Sequence, residues 1–229
     1  MNALLDCRDV WLIGGGGKTT LMFRLAAAWA ARNEGVLCTT TTKIRPPSRD
    51  QCPEVRLAEF PALVADLRRR PAPFVTAARR IEGGKCLGFP PDEALLLAAH
   101  ARHLIVEADG SVGRPVKAHA AFEPVIAPKA TCVVAVVGGW CVGTPLNADH
   151  VHRPGIFSAL SGREPGAAVT ADDVARVILH EEGWLREVPA GAAFHVVVTG
   201  TDGGIARALA LHPNAGRILA VHAGTMSAL

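Results

Sequence analysis

The sequence predicts an α/β protein built on a mostly parallel, doubly wound sheet with a small insertion at one edge. Three observations carry this. Continuous apolar runs recur along the chain, as strands buried on both faces require. Segments of helical period separate them, the alternation that builds parallel sheets. Glycines stand where the runs have to turn. With 229 residues, 49% of them apolar and 20% charged, the chain can build a sizeable core and reads as one domain over residues 1–229.

Taken in order, Val10 to Ile13 is a short strand that runs into four glycines. Thr20 to Arg32 follows as a helix, with Leu21, Leu25, Ala28 and Trp29 at helical spacing. Val36 to Thr40 is a second strand, so the first forty residues make a parallel unit. Prolines crowd the next stretch, where a strand at Val55 to Leu57, a helix from Pro61 to Arg70 and a strand at Phe74 to Ala77 are expected. Arg79 to Leu87, centred on Gly83 and Gly84, reads as a hairpin, and residues 46–90 as the edge insertion. Asp92 caps a helix to about His100, Leu104 to Val106 is a strand ending at Glu107, and Cys132 to Val137 is another ending at Gly138. Thr170 and Asp173 form a capping-box start for a helix over Val174 to Glu182. Phe194 to Thr199, a helix after Asp202, and Ile218 to Val221 close the pattern.

Charge narrows the function classes. Basic and acidic residues number 24 and 21, a net charge of +3, and the only basic runs are Arg68 to Arg70 and Arg79 with Arg80. That excludes an electrostatic nucleic-acid footprint. No stretch reaches the roughly 18 apolar residues of a membrane span, and Asp6 stands where a signal peptide has its basic and apolar regions. A cytoplasmic protein without membrane partner is expected. The six cysteines include no C-x-x-C pair and no zinc-like spacing; Cys38 and Cys132, inside apolar runs, read as small buried hydrophobes. His100 with His103, and His150 with His152, are near neighbours of the kind that nine histidines produce by accident.

The strongest motif is Gly14, Gly15, Gly16, Gly17, Lys18, Thr19 and Thr20, where a strand turns into a helix. Glycines without Cβ let backbone N–H groups point at phosphate oxygens, and the helix start offers the positive end of its dipole. Lys18 is expected at the β and γ phosphates and Thr19 on Mg²⁺. The fold expected is therefore of P-loop NTPase type. The loop lacks the full Walker spacing, since Leu12 occupies the place of its first glycine. The short form resembles the loops of the peptidoglycan Mur ligases and of the lipid A precursor kinase, both of which use ATP.

Other segments would complete the site. Glu107 and Asp109 follow an apolar strand, and two carboxylates two residues apart on extended chain point the same way, so they can share one metal and its water. Thr39 to Thr42 with Lys43 follow the second strand, expected beside the first, so Thr41 and Lys43 become candidates for the substrate side. Lys117, His152 and Arg153 are further candidates there: Lys117 and Arg153 follow strand ends, as ligand-binding residues of open sheets do, and are expected to face the open mouth of the loop.

Taken together, G-G-G-G-K-T-T-L at 14 to 21, T-T-T-T-K-I at 39 to 44, E-A-D-G-S at 107 to 111, G-R-P-V-K-A at 113 to 118, E-P-V-I at 123 to 126 and V-H-R-P at 151 to 154 resemble the YqeC family. That family is described as an accessory protein of selenium-dependent molybdenum hydroxylases. The resemblance implies an ATP-dependent role in maturing a selenium-containing molybdenum cofactor, with a cofactor or selenium compound, or the apo-hydroxylase, as partner. A nucleotide-switched chaperone and a kinase or ligase of another pathway are the alternatives. Thr199, Gly200, Thr201 and Asp202 keep only the aspartate of a guanine signature, which favours ATP over GTP.

Overall fold

Asp9 to Gly14 is apolar but for its first residue, and every one of its six residues is buried; a strand so composed has to lie inside a sheet, and it does. The structure, a computed structural model, describes residues 2–71 and 73–224. In chain order the helices are α1 (Asn2–Leu5), α2 (Lys18–Ala30), α3 (Phe60–Arg69), α4 (Pro91–Leu96), α5 (Pro154–Ser161), α6 (Ala171–Leu179) and α7 (Ile205–Leu211). The strands are β1 (Asp9–Gly14), β2 (Val36–Thr40), β3 (Lys43–Ile44), β4 (Val55–Leu57), β5 (Phe74–Ala78), β6 (Arg80–Glu82) and β7 (Lys85–Leu87). After them come β8 (His103–Glu107), β9 (Val116–Lys117), β10 (Cys132–Gly138), β11 (Val151–His152), β12 (Ala193–Thr199) and β13 (Ala220–Gly224).

Eight strands form one sheet in the order β13-β12-β10-β1-β8-β2-β5-β4, and all of its pairings are parallel. The expected doubly wound α/β fold is present, in an arrangement consistent with a P-loop NTPase. One neighbour differs from expectation. β8, not β2, lies beside β1, with Leu12 opposite Glu107, so the carboxylates of β8 end directly next to the glycine loop. The stretch 46–90 divides: β4 and β5 extend the main sheet to its edge, while β6 and β7 join β3, just before the stretch, in a separate antiparallel sheet. The β6–β7 hairpin turns on Gly83 and Gly84, both with positive φ, as the twist of a two-residue hairpin demands.

Helices cover both faces, unequally. Residues of one parity in the strands, among them Val10, Leu12, Val134 and Val136, pack with Leu21, Leu25 and Trp29 of α2 and Leu4 of α1. Residues of the other parity, Trp11, Ile13, Val133 and Ala135, pack with Leu63 of α3, Phe157 of α5, Ile178 of α6 and Leu209 of α7. The capping box at Thr170 and Asp173 forms as predicted. No helix among the described residues is long and apolar enough to cross a membrane.

Candidate functional site

The loop at the carboxyl end of β1 is glycine because nothing else fits. A Cβ on Gly16 would lie 2.1 Å from the Gly138 amide nitrogen, and one on Gly14 2.4 Å from the Val136 carbonyl. Gly17, the residue before α2, has φ of 106°, a conformation side chains resist. Neighbouring chain holds the loop in place: Gly15 N–H donates to Val136 O at 2.8 Å, Gly16 N–H to Arg114 O at 3.1 Å, and Thr199 Oγ1 to Gly16 O at 2.6 Å. Beyond it, the first turn of α2 presents N–H groups that have no acceptor within the helix.

Side chains from three segments meet there. Thr19 Oγ1 donates to Glu107 Oε2 at 2.6 Å, and Lys18 Nζ lies 3.0 Å from Asp109 Oδ1 and 3.9 Å from Glu107 Oε1. Asp109 Oδ2 accepts from Gly14 N–H at 2.8 Å and meets His119 Nε2 at 2.6 Å. Lys117 Nζ stands 3.3 Å from the same oxygen and donates to Glu123 Oε2 at 2.7 Å and Gly110 O at 2.6 Å. Arg153 closes the chain of charges on Glu123, and Trp184 Nε1 donates to Lys117 O at 3.1 Å. Three cations and three carboxylates thus compensate one another.

Burial and these partners divide the two carboxylates of β8 and its end. Burial pushes Glu107 above the ordinary range, and Asp109 adds to the rise, while Lys18 and the Thr19 hydroxyl offset part of it. Burial acts the same way on Asp109, but Lys18, the His119 hydrogen bond and Lys117 outweigh it and hold Asp109 well below the ordinary range. His119 is lowered by burial against the pull of Asp109. A neutral ring donating from Nε2 accounts for this, and its Nδ1 is buried without a hydrogen-bond partner. Glu123 is lowered: burial opposes ionisation, but Arg153 and Lys117 prevail.

The predicted residues are sorted by this geometry. Gly14 to Gly17, Lys18, Thr19, Glu107, Asp109, Lys117 and Arg153 come together; Thr20 follows on α2 but is exposed. Lys18 is 3% exposed and Lys117 fully buried, which corrects the expectation that Lys117 and Arg153 face an open mouth: both are engaged by Glu123. Thr41 is spent on structure, its hydroxyl donating to Val125 O at 2.8 Å. Lys43 stands apart on the small sheet, paired with Glu82 at 2.6 Å. His152 sits in β11 beside Lys117 of β9, its pKa lowered by burial and by Arg153. His119, Glu123 and Trp184 went unpredicted as site residues. His119 and Glu123 sit in or beside the motif segments, where their types alone gave no signal; Trp184 is 67 residues from its partner Lys117.

Glycine loop, helix start, ammonium, hydroxyl and carboxylates converge at the carboxyl ends of the adjacent strands β1 and β8, donor types that suit phosphate and Mg²⁺. The same arrangement also holds two loop amides in backbone bonds. A family model described as YqeC protein matches residues 10–155, a range that contains the whole charged cluster but not Trp184. A protein of Escherichia coli (strain K12) named "Uncharacterized protein YqeC" is 34% identical over 182 residues, covering 79% of this chain and 71% of that protein. No solved structure matches the chain.

Proposed function

The chain belongs to the YqeC family, and on that premise we propose that it binds ATP with Mg²⁺ on the Gly14–Thr19 loop and hydrolyses it. One observation carries the reading: the Thr19 hydroxyl touches Glu107 at 2.6 Å while Lys18 lies between Glu107 and Asp109. The hydroxyl would take Mg²⁺ as a ligand, the carboxylate beside it would face a water there, and the adjacent ammonium is the group that meets phosphate. Mg²⁺ when bound neutralises charge on the phosphates. Lys18 leaves Asp109 for phosphate oxygens. Glu107, with its raised proton affinity, accepts the proton of the attacking water. Asp109 stays ionised and holds Lys117 and His119 in place. The preference for ATP over GTP is supported by Asp202, whose carboxylate accepts from Gly204 N–H at 3.1 Å and Ala206 N–H at 3.0 Å and so is occupied in starting α7.

The cellular role in this reading is the one the family resemblance implies, maturation of a selenium-dependent molybdenum hydroxylase. Arg153, paired with Glu123 but with 22% of its side chain exposed, is the cation of this cluster that an anionic second substrate would reach by exchanging with Glu123. The complete burial of Lys117 favours a second reading, a nucleotide-switched chaperone for the apo-hydroxylase. Hydrolysis stimulated by the apo-hydroxylase supports the chaperone; hydrolysis that requires a selenium or pterin compound supports the enzyme.

Thermal unfolding with ATP, GTP and Mg²⁺ tests the nucleotide itself. A ligand at 100 times its dissociation constant adds about 2.7 kcal/mol of stability. ATP with Mg²⁺ is expected to raise the midpoint, and to do so less in Lys18→Ala. No shift with any nucleotide refutes the assignment.

A further inference from the structure

The opposite end of the sheet carries a second cluster. Cys132 opens β10, and Cys7 lies two residues before β1, which pairs with β10. The two sulfurs are 2.9 Å apart. His195, near the start of β12, faces the same side as Cys132, because β12 and β10 pair in parallel with His195 opposite Val134. Cys7, Cys132 and His195 each bring one ligand atom within 4.8 Å of the others, the one such group of His, Cys, Asp or Glu found among the described residues.

The ring of His195 is oriented as a metal-binding imidazole requires. It is 1% exposed. Its Nδ1 lies 3.4 Å from Nε2 of His222 on β13, with the rings stacked at 5.6 Å, while its Nε2 is buried without a hydrogen-bond partner. A buried ring nitrogen left unpaired is costly unless something binds it. The nearby carboxylate does not: Asp9 accepts from Trp11 Nε1 and from Thr131 N–H, each at 2.9 Å. The local chemistry is therefore two sulfurs and one imidazole, a soft donor set suited to a thiophilic cation and not to Mg²⁺.

We propose that Cys7, Cys132 and His195 bind a thiophilic d¹⁰ cation, Zn²⁺ being the probe, with His222 orienting His195. Three protein ligands leave the fourth place of a tetrahedral cation to solvent or an exchangeable ligand. Cys7 is half-buried and gives access from solvent, beside a cleft of about 240 Å³ lined by Asp6, Arg8, Ala101, Arg102 and His103. Two sulfurs bound to one Zn²⁺ at about 2.3 Å stand roughly 3.8 Å apart, so the thiols move apart by under about 1 Å. Each thiol loses its proton on binding, and the metal takes the two sulfur lone pairs. The site is at the amino ends of the strands, away from the glycine loop, and its existence does not depend on the nucleotide reading.

The test uses the full chain, reduced and kept from air, titrated with Zn²⁺ against a chromophoric chelator and separately with Co²⁺. The expected result is one Zn²⁺ per chain with release of about two protons, and a thiolate-to-cobalt charge-transfer band. Cys7→Ser, at a half-buried position, loses the band while keeping the far-ultraviolet dichroism of the fold. His222→Ala keeps the band and weakens Zn²⁺ binding about 10- to 100-fold, the effect of losing an outer partner of a ligating histidine. Cys52→Ser changes neither. Absence of stoichiometric Zn²⁺ in the reduced chain, or an unaltered cobalt band in Cys7→Ser, overturns the proposal. So does a reduced chain that ignores Zn²⁺ but closes a Cys7–Cys132 disulfide in air, which would make the pair a redox couple instead.

Discussion

The two ends of the sheet solve the burial of polar groups in opposite ways. At the carboxyl ends of the strands, Lys18, Lys117 and Arg153 are set against Glu107, Asp109 and Glu123, and nearly every charge already has its counter-charge. At the amino ends, two thiols and two imidazoles meet through weak contacts, and one buried ring nitrogen faces the thiols without a well-formed hydrogen bond. Full charges cannot be buried unpaired, whereas thiols and neutral imidazoles can be buried at modest cost. A charged site is therefore closed until a ligand exchanges partners with it. A soft site keeps its coordinating capacity in reserve.

The largest effect expected from breaking this contrast is that of Asp109→Asn. It leaves Lys18 and Lys117 without the carboxylate that lies between them, and removing one member of a buried ionic group costs about 3–5 kcal/mol. Urea unfolding of wild type and variant measures it; a change below 1 kcal/mol would mean the cluster is not closed by charge. Glu107→Gln has the same shape but neither the base nor the charge. ATP affinity is expected to hold within about threefold while steady-state hydrolysis falls about 10²- to 10⁴-fold; an unchanged rate removes Glu107 from the chemistry.

The pH dependence sharpens the division between the two carboxylates. Because burial raises the Glu107 pKa in the free protein, kcat/KM for hydrolysis, which reports groups of the free enzyme, is expected to fall as pH is lowered through a value above the ordinary glutamate range, and its profile in wild type measures it. Asp109 has the opposite sign. Its folded pKa is depressed, so the unfolded chain takes up the proton first. Its contribution to stability is complete above the unfolded value of about 3.9 and is lost as pH falls from there toward the folded value. Unfolding midpoints from pH 7 down to 3 are expected to show the wild-type advantage over Asp109→Asn narrowing only below about pH 4.

Smaller effects follow. Thr199→Val removes the hydroxyl that binds Gly16 O at 2.6 Å, and a buried carbonyl left without that partner costs about 1–3 kcal/mol; denaturant midpoints and ATP affinity read it together. The smallest effect expected is none: Cys7→Ser leaves ATP binding by calorimetry unchanged, since the thiol cluster lies at the other end of β1. Coupling of more than a few-fold would show that the two ends are not separate sites.

The same contrast explains what the sequence disclosed. The strand-to-helix glycine loop and the carboxylates Glu107 and Asp109 were legible because each lies in one contiguous motif at a strand end. The capping box at Thr170 was legible for the same reason. Exposure was not. Lys117 was expected near the glycine loop, and it lies in the charged cluster there, but it was read as reaching a substrate, because nothing local says that Glu123 and Arg153 fold back over it. Strand order was misjudged at one point, with β2 expected beside β1 where β8 lies, since local pattern sets a strand's burial but not which neighbour it takes. The thiol cluster depends entirely on such neighbours. Cys7 and Cys132 are 125 residues apart and meet only because β10 docks beside β1, so a search for short cysteine spacings passes over them.

The position of β1 between β8 and β10 also governs when the molecule can exist at all. Its first partner, β8, begins at His103 and its second, β10, at Cys132, so a nascent chain carries the finished glycine loop for some ninety residues before any strand can seat beside it. Thr199, which fastens Gly16, arrives later still. Long-range parallel pairing of this kind is slow, because loop closure is paid for before the contacts form. A piece of this chain ending before β8 has the whole phosphate motif but neither of the strands that flank β1. The loop is thus synthesised well before the strands that give it its shape.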